Sequence, residues 1–391
     1  MPTVRNWAGN LSFAPKTICW PRSVNELREL VTGHDRVKAI GTGHSFSSIT
    51  ATDGASVSLA GLPPVFQVYG DSVVVSAAMT LGELAVRLQR VGLALHTMPS
   101  LPHVSVAGAI ATGTHGSGTG CLSTAVRMLT LVDGRGNLRE VSDVDGWTVS
   151  LGLLGVVTTV ELAVVETFDV EQTVWDGLTW PRLLNGLAEI FASAYSVSVF
   201  TDWRNHLSLW TKRRTGDWPI ELGLHPALER RHPVAGLSTY GCTEQLGIRG
   251  PWHQRLPHFR LNATPSVGDE LQTEYFVPMT RAVEALDRLR ALSDTITPVL
   301  AISELRTVTA DSLWLSPAYR RDCLAIHFTW HNLPDRVQAA MAVVEQTLAD
   351  LDPRPHPAKL SLRPPDHHPN WSRFADLVRK TDPGGKFGGP A

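Results

Sequence analysis

Apolar residues recur along this chain at two periods, and the changes of period mark the elements. In PRSVNELRELVTG (21–33), Leu27, Leu30 and Val31 share one helical face, Ser23 and Glu26 form a capping box and Gly33 stops the run, which predicts a helix. RVKAI (36–40) then reads as a short strand entering the turn GTGHSF (41–46), and SVVVSAA (72–78) as a buried strand. Thr80 and Glu83 form a second capping box before TLGELAVRLQRVG (80–92), in which Leu81, Leu84, Leu88 and Val91 keep helical spacing until Gly92. VRMLTLVDGRGNLREV (126–141) predicts a hairpin, because Asp133–Asn137 supplies residues that take positive φ at low cost. LGLLGVVTTVELAVV (151–165) reads as buried strand continuing that sheet.

Beyond about residue 170 the texture turns Trp-, Pro- and Arg-rich, as in FTDWRNHLSLW, KRRTGDW and GPWHQRLPHFR, which places a domain boundary there. The second region holds predicted strands ELQTEYFVP (270–278), LAISELRTV (300–308) and CLAIHFTW (323–330), and helices TRAVEALDRLRAL (280–292) and PDRVQAAMAVVEQTLADL (334–351). The expectation is an α+β protein of three parts: residues 1–170, a second domain at 171–350, and a proline-rich segment at 351–391 that wraps back. No internal repeat is visible.

Composition narrows the partner. With 391 residues, 43% of them apolar, 18% charged and a formal net charge of -2, the chain has no basic field for nucleic acid or anionic membrane, so a small molecule is expected. The longest apolar run is too short to cross a bilayer and the N-terminal stretch lacks an export pattern, which predicts a cytoplasmic protein. Cys19, Cys121, Cys242 and Cys323 form no CxxC pair, so reduced structural thiols are expected and neither a disulfide framework nor a metal site.

The most glycine-rich stretch is SLPHVSVAGAIATGTHGSGTG (100–120). Gly113, Gly116, Gly118 and Gly120, interleaved with Thr112, Thr114 and Ser117, suit a phosphate or pyrophosphate, and equally a tight structural loop. No GxxxxGK[ST] occurs, and no GxGxxG between a strand and a helix. Two strands carry polar pairs on one face: Glu304 with Arg306, and His327 with Thr329. Either pair alone reads as a weak strand-surface contact; together they predict a polar pocket. His356 and Lys359 lie in RPHPAKLSL, where a solvated lysine is the ordinary reading. His253, His258, His367 and His368 are read as surface residues.

These residues, with NWAGNLSF (6–13), SLGLLGVVTTVEL (150–162), YSVSVFTDWR (195–204), CTEQLGIRGPWHQRLPHFR (242–260) and WLSPAYRRD (314–322), resemble the alditol (xylitol and sorbitol) oxidase group of the vanillyl-alcohol-oxidase flavoproteins, over residues 6 to about 387. The resemblance implies a two-subdomain FAD-binding domain of the PCMH type beneath a substrate-binding cap with an antiparallel sheet. It implies FAD joined covalently through His44, with Ala39, Ile40, Gly41, Thr42, Gly43, Ser45, Ser105, Gly108, Thr112, Gly113, His115, Gly116, Ser117, Gly118, Val157 and His356 around the cofactor. Ser105, Glu304, Arg306, Thr329 and Lys359 resemble the polyol-binding set, with Arg306, His327, Lys359 and Glu304 at the reacting carbon and either His327 or Lys359 as base. The implied reaction converts a terminal CH–OH to an aldehyde with O2 as acceptor and hydrogen peroxide as product, in a monomer. A sugar-1,4-lactone oxidase or dehydrogenase of the same family, or a flavin-binding protein without catalysis, is the alternative. One departure stands out: the family pattern K-F-x-N continues into a longer tail, whereas here the sequence ends GKFGGPA with Gly389 where the asparagine would be, and this shortened tail argues against tight docking on the flavin domain.

Overall fold

The computed structural model describes residues 3–218, 222–263, 269–363 and 365–389. Three sheets organise it. The helix Val24–Gly33, capped by Ser23 Oγ accepting from Glu26 N, crosses between Thr17–Cys19 and Val37–Ile40, and these flank Ala55–Ser58 in a parallel sheet. Leu27 and Val31 bury that helix against Val37, Val57, Val132 and Val156. Next to it lies a five-stranded antiparallel sheet in the order Leu138–Val141, Val126–Val132, Val156–Ala163, Ser72–Ser76, Phe66–Tyr69. The helix Leu81–Arg90 covers its apolar face, with both halves of the Thr80–Glu83 capping box formed. The predicted hairpin is present, its turn held by the buried Asp133, whose Oδ1 accepts from Arg135 N and Asn137 N.

The third sheet is antiparallel and nine-stranded, and its central strands run Leu207–Arg214, Ser196–Thr201, Leu300–Val308, Cys323–His331, Glu270–Pro278. Helices Ala282–Ala291 and Pro334–Leu348 bury its outer face through Leu286, Leu289, Val337, Val344 and Leu348. The opposite face carries the polar residues. Together the sheets and helices make the α+β fold expected from the pattern.

Several expectations are corrected. Residues 151–155 form a turn rather than strand, with Leu151 at φ 56, and the strand starts at Val156. The C-terminal segment is more than a wrapping tail: Trp371–Thr381 is a helix whose Phe374, Ala375 and Val378 are buried. The terminus is also tightly docked despite Gly389. Val37 N donates to Lys386 O, Lys38 Nζ to Phe387 O at 2.8 Å and Lys386 Nζ to the carbonyls of Val31 and His34, while Phe387 is 1% exposed. One backbone bond to the parallel sheet, the Lys38 and Lys386 side chains and the buried Phe387 ring do this work, and none of them involves residue 389. All four cysteines are free. Among the described residues no helix is long and apolar enough to cross a membrane and no metal-ligating cluster occurs.

Candidate active site

A cavity of about 610 Å³ opens where the three sheets meet, within the size range of small-molecule and cofactor sites. Two turns form one wall. The first, 41–46, leaves the end of the strand Val37–Ile40; the second leads into the short helix Val106–Ala111. Ser105 holds them together: its N–H donates to Thr42 Oγ1 at 3.2 Å, and a Cβ on Gly41 or Gly108 would stand only 2.4 or 2.9 Å from its Oγ. A side chain at either place would force the Ser105 hydroxyl to turn away. The N–H groups of Thr42, Gly43, His44, Ser45 and Gly108 find no acceptor among the described residues. Such a run of unsatisfied donors suits an anionic group such as a pyrophosphate, so the wall fits FAD. His44 is half-buried, stacks on Trp7 at 5.3 Å between ring centres, and has Nδ1 3.0 Å from Thr42 Oγ1. Burial, then the neighbouring His103, pushes His44 down to about 4, so its ring is neutral at pH 7.

The tail completes this wall. Phe46 N donates to Ala358 O and Ser47 Oγ to Pro357 O, and this seating carries His356 and Lys359 to the cavity. Ala39, Ile40, Thr112, His115, Gly116 and Val157 also line it. Gly113, Ser117 and Gly118 are not among the lining residues: Ser117–Gly118 pairs with Thr97–Met98 as strand, so half of the glycine-rich loop is structural.

The opposite wall is the polar face of the nine-stranded sheet. Register places Glu304, His327 and Glu274 side by side in one row across three strands, and Thr329 beside Gln272 in the next. Arg306 Nε donates to Glu304 Oε1 at 2.7 Å, and His327 Nε2 lies 3.1 Å from Thr329 Oγ1, so both pairs predicted from period-two spacing face the cavity. Lys359 Nζ is 2.7 Å from His327 Nδ1 and 3.0 Å from Glu274 Oε2. The second approach is off the hydrogen-bonding direction and therefore ionic. Glu274 Oε1 accepts from His115 Nε2 at 3.0 Å. Lys359 is thus neither solvated nor alone. Burial works to raise the Glu274 carboxyl, but the charges of Lys359 and His115 outweigh it and hold it well below the usual range. For Glu304 the Arg306 charge and His258 likewise overcome burial. Burial, reinforced by Lys359, pushes His327 down to about 3; His356, 5% exposed, falls to about 3 chiefly by burial.

Surface placement of the other histidines is overturned for His258. It is 2% exposed, with Nε2 2.6 Å from Arg306 Nη2 and 3.0 Å from Glu304 Oε1. The segment before it folds inward because Thr243 N and Oγ1 take up the backbone carbonyls of His258 and Pro257. His253 and His368 are half-buried and His367 exposed. Sequence reasoning also missed Glu274, which lines the cavity, and Lys212, buried behind this wall.

Comparison with known proteins agrees with the geometry. A family model described as an FAD binding domain matches residues 15–142, and one described as D-arabinono-1,4-lactone oxidase matches residues 268–390. An alditol oxidase of Streptomyces sp. (strain IKD472 / FERM P-14339) is 40% identical over 98% of this chain and 96% of its own length. An L-gulono-1,4-lactone dehydrogenase of Mycobacterium tuberculosis (strain ATCC 25618 / H37Rv) is 28% identical over 98% of this chain and 96% of its own. Among solved structures, a cholesterol oxidase from B. sterolicum shares the fold at a TM-score of 0.79 and 12% identity, over 100% of this chain and 95% of that one. Fold, matched domain and full-length similarity converge, and the chain belongs to the alditol oxidase family of FAD-dependent oxidoreductases.

Proposed function

We propose that this protein oxidises the terminal primary hydroxyl of an alditol such as xylitol or sorbitol, or the shorter glycerol, to the aldose, with O2 reduced to hydrogen peroxide. The observation that carries the reading is the three-strand polar face. Glu304, Arg306, His327, Thr329 and Lys359 line one cavity, with Ser105 across from them. A pocket that offers a partner to each hydroxyl suits a polyol and rejects analogues lacking those hydroxyls. The same reading assigns residues 1–170 and the C-terminal segment to holding FAD, with His44 as its covalent anchor, and residues 171–350 to the substrate. His44 suits that role because it lines the cavity with a neutral ring oriented by Thr42 and Trp7.

Bound FAD supplies a hydride acceptor that returns its electrons to O2. The chain supplies the rest. Arg306 and Lys359 polarise the reacting hydroxyl and stabilise the negative charge that develops on it. Ser105, Thr329 and Glu304 orient the carbon chain. Lys359, paired with Glu274, donates to His327 Nδ1, which leaves Nε2–H to donate to Thr329. In this pattern His327 fixes Lys359 and Thr329 in place, and its Nδ1 lone pair is occupied.

The test is yellow colour retained by acid-precipitated protein, followed by bleaching and peroxide on addition of xylitol to the native protein. Colourless protein that yields no peroxide would reject the oxidase reading. The lactone-oxidase model over residues 268–390 favours a second reading, so L-gulono-1,4-lactone belongs in the same assay. Bleaching by the lactone and not by any polyol would select it.

A further inference from the structure

With His327 and Lys359 engaged and Arg306 permanently charged, the alcohol proton needs another acceptor. Behind Glu304 and Arg306 lies Lys212, 1% exposed. Its Nζ donates to Ser117 Oγ at 2.8 Å and to Leu256 O, and it stands 3.3 Å from His258 Nδ1. His258 turns its other nitrogen to both Arg306 Nη2 and Glu304 Oε1.

The neighbours of this ring make incompatible demands. With the proton on Nε2, His258 donates to Glu304 and accepts from a Lys212 ammonium, but Arg306 Nη2 is left against an N–H. With the proton on Nδ1, it donates to a neutral Lys212 amine and accepts from Arg306, while Glu304 relies on the guanidinium alone. The first arrangement leaves a donor facing a donor and the second a lone pair facing a carboxylate, so the two compete closely, and the first holds one proton more than the second. Burial favours the second at rest, because it keeps both the amine and the ring neutral. Lys212 has no carboxylate ion-paired to it among the described residues; burial, then the Arg306 charge, lowers its amine well below the usual range against the weaker pull of Glu304. Burial and Lys212 push His258 down to about 3, so the ring is neutral.

We propose, on the alditol-oxidase reading, that Lys212, His258 and Glu304 form a buried relay that carries the substrate's hydroxyl proton to the Lys212 amine. The hydroxyl proton passes to a Glu304 oxygen, Glu304 protonates His258 Nε2, and Nδ1–H protonates Lys212 Nζ. Glu304 ends as carboxylate, His258 as the Nε2–H tautomer and Lys212 as ammonium. The O–H electron pair stays on the substrate oxygen and closes the carbonyl as the carbon loses its hydride to the flavin. The stored proton leaves by the same line after the product departs.

Nitrogen-15 NMR of histidine-labelled, resting flavoprotein tests this without substrate. His258, assigned by its loss in His258→Gln, is expected as the Nδ1–H tautomer at pH 7 and as the Nε2–H tautomer in Lys212→Met. An Nε2–H ring in the wild type would overturn the proposal, because the relay would already be full. If Lys212→Met does not fold, the nitrogen-15 resonance of the wild-type Lys212 amine decides alone: neutral supports the relay, ammonium removes it. Anaerobic xylitol-driven bleaching gives the second readout. Its rate should fall in the wild type as pH drops through the lowered amine pKa, and Lys212→Met should lose this acid limb and slow about a hundredfold. A variant that keeps both rate and limb would refute the relay. Failure of xylitol, sorbitol and glycerol alike to bleach the wild type would reject the polyol reading and leave the tautomer result standing.

Discussion

Glu274→Gln isolates the contribution of one buried carboxylate. Glu274 is 4% exposed, ion-paired to Lys359 at 3.0 Å and bonded to His115 at 3.0 Å. Removing one partner of a buried ion pair costs about 3–5 kcal/mol, because the other charge stays buried without compensation. The glutamine oxygen still accepts from His115, so the low end, about 3 kcal/mol, is expected, and at about 2 °C per kcal/mol for a large chain Tm should drop by about 6 °C at pH 7. The pH dependence gives the sign. A carboxyl held below its unfolded pKa contributes stability that is full above about pH 4.3 and is lost as pH falls through the folded value. Wild type and variant should therefore differ by a constant Tm gap from pH 6 to 8, and the gap should narrow below about pH 4.3. Scanning calorimetry of both proteins across this range is the assay. Equal Tm values at pH 7, or a gap that widens on acidification, would refute the reasoning. Because Glu274 also holds Lys359, flavin bleaching by xylitol should slow at least tenfold in the same variant, an effect in the range of a lost electrostatic stabiliser.

Lys359→Ala should lower turnover about a hundredfold while flavin remains attached, and unchanged turnover would remove Lys359 from the catalytic set. His44→Ala should bind FAD that is released on acid precipitation; colour that stays with the precipitate would place the covalent link elsewhere. A Cβ on Gly116 would lie 2.1 Å from Met98 O, so Gly116→Ala should displace the Thr97–Met98 pairing and lower the ratio of flavin to protein absorbance, with about 1–3 kcal/mol lost. Phe387→Ala empties a fully buried position and should cost about 3–5 kcal/mol, seen as lower Tm and faster proteolytic trimming of the terminus.

What could be read beforehand followed from local periodicity, and what could not depended on distant partners. Period two brought out Glu304 with Arg306 and His327 with Thr329, because a strand fixes which residues share a face. The same rule places Glu270, Gln272 and Glu274 on one face of ELQTEYFVP, but residue type makes such a face look solvated. Only the pairing of Glu274 with His327, and the return of the tail with Lys359, turns it into a cavity wall. Lys212 was hidden more deeply, since LSLWTKRR ends in a basic run of the kind that marks a solvated strand end. Its partner His258 lies 46 positions away in an irregular segment with no period to read. The helix Trp371–Thr381 was masked by the prolines before it, although Phe374 and Val378 keep helical spacing. The buried charges share one cause. Burying Lys212, Glu274 or Glu304 is unfavourable until a partner arrives from another strand or loop, so every local cue argues for the surface, and the exceptions gather where the fold has brought compensating groups together. Lys212, Glu274 and Glu304 gather on and behind one wall of the cavity, which is why residues hard to place from sequence are ones on which the proposed chemistry depends.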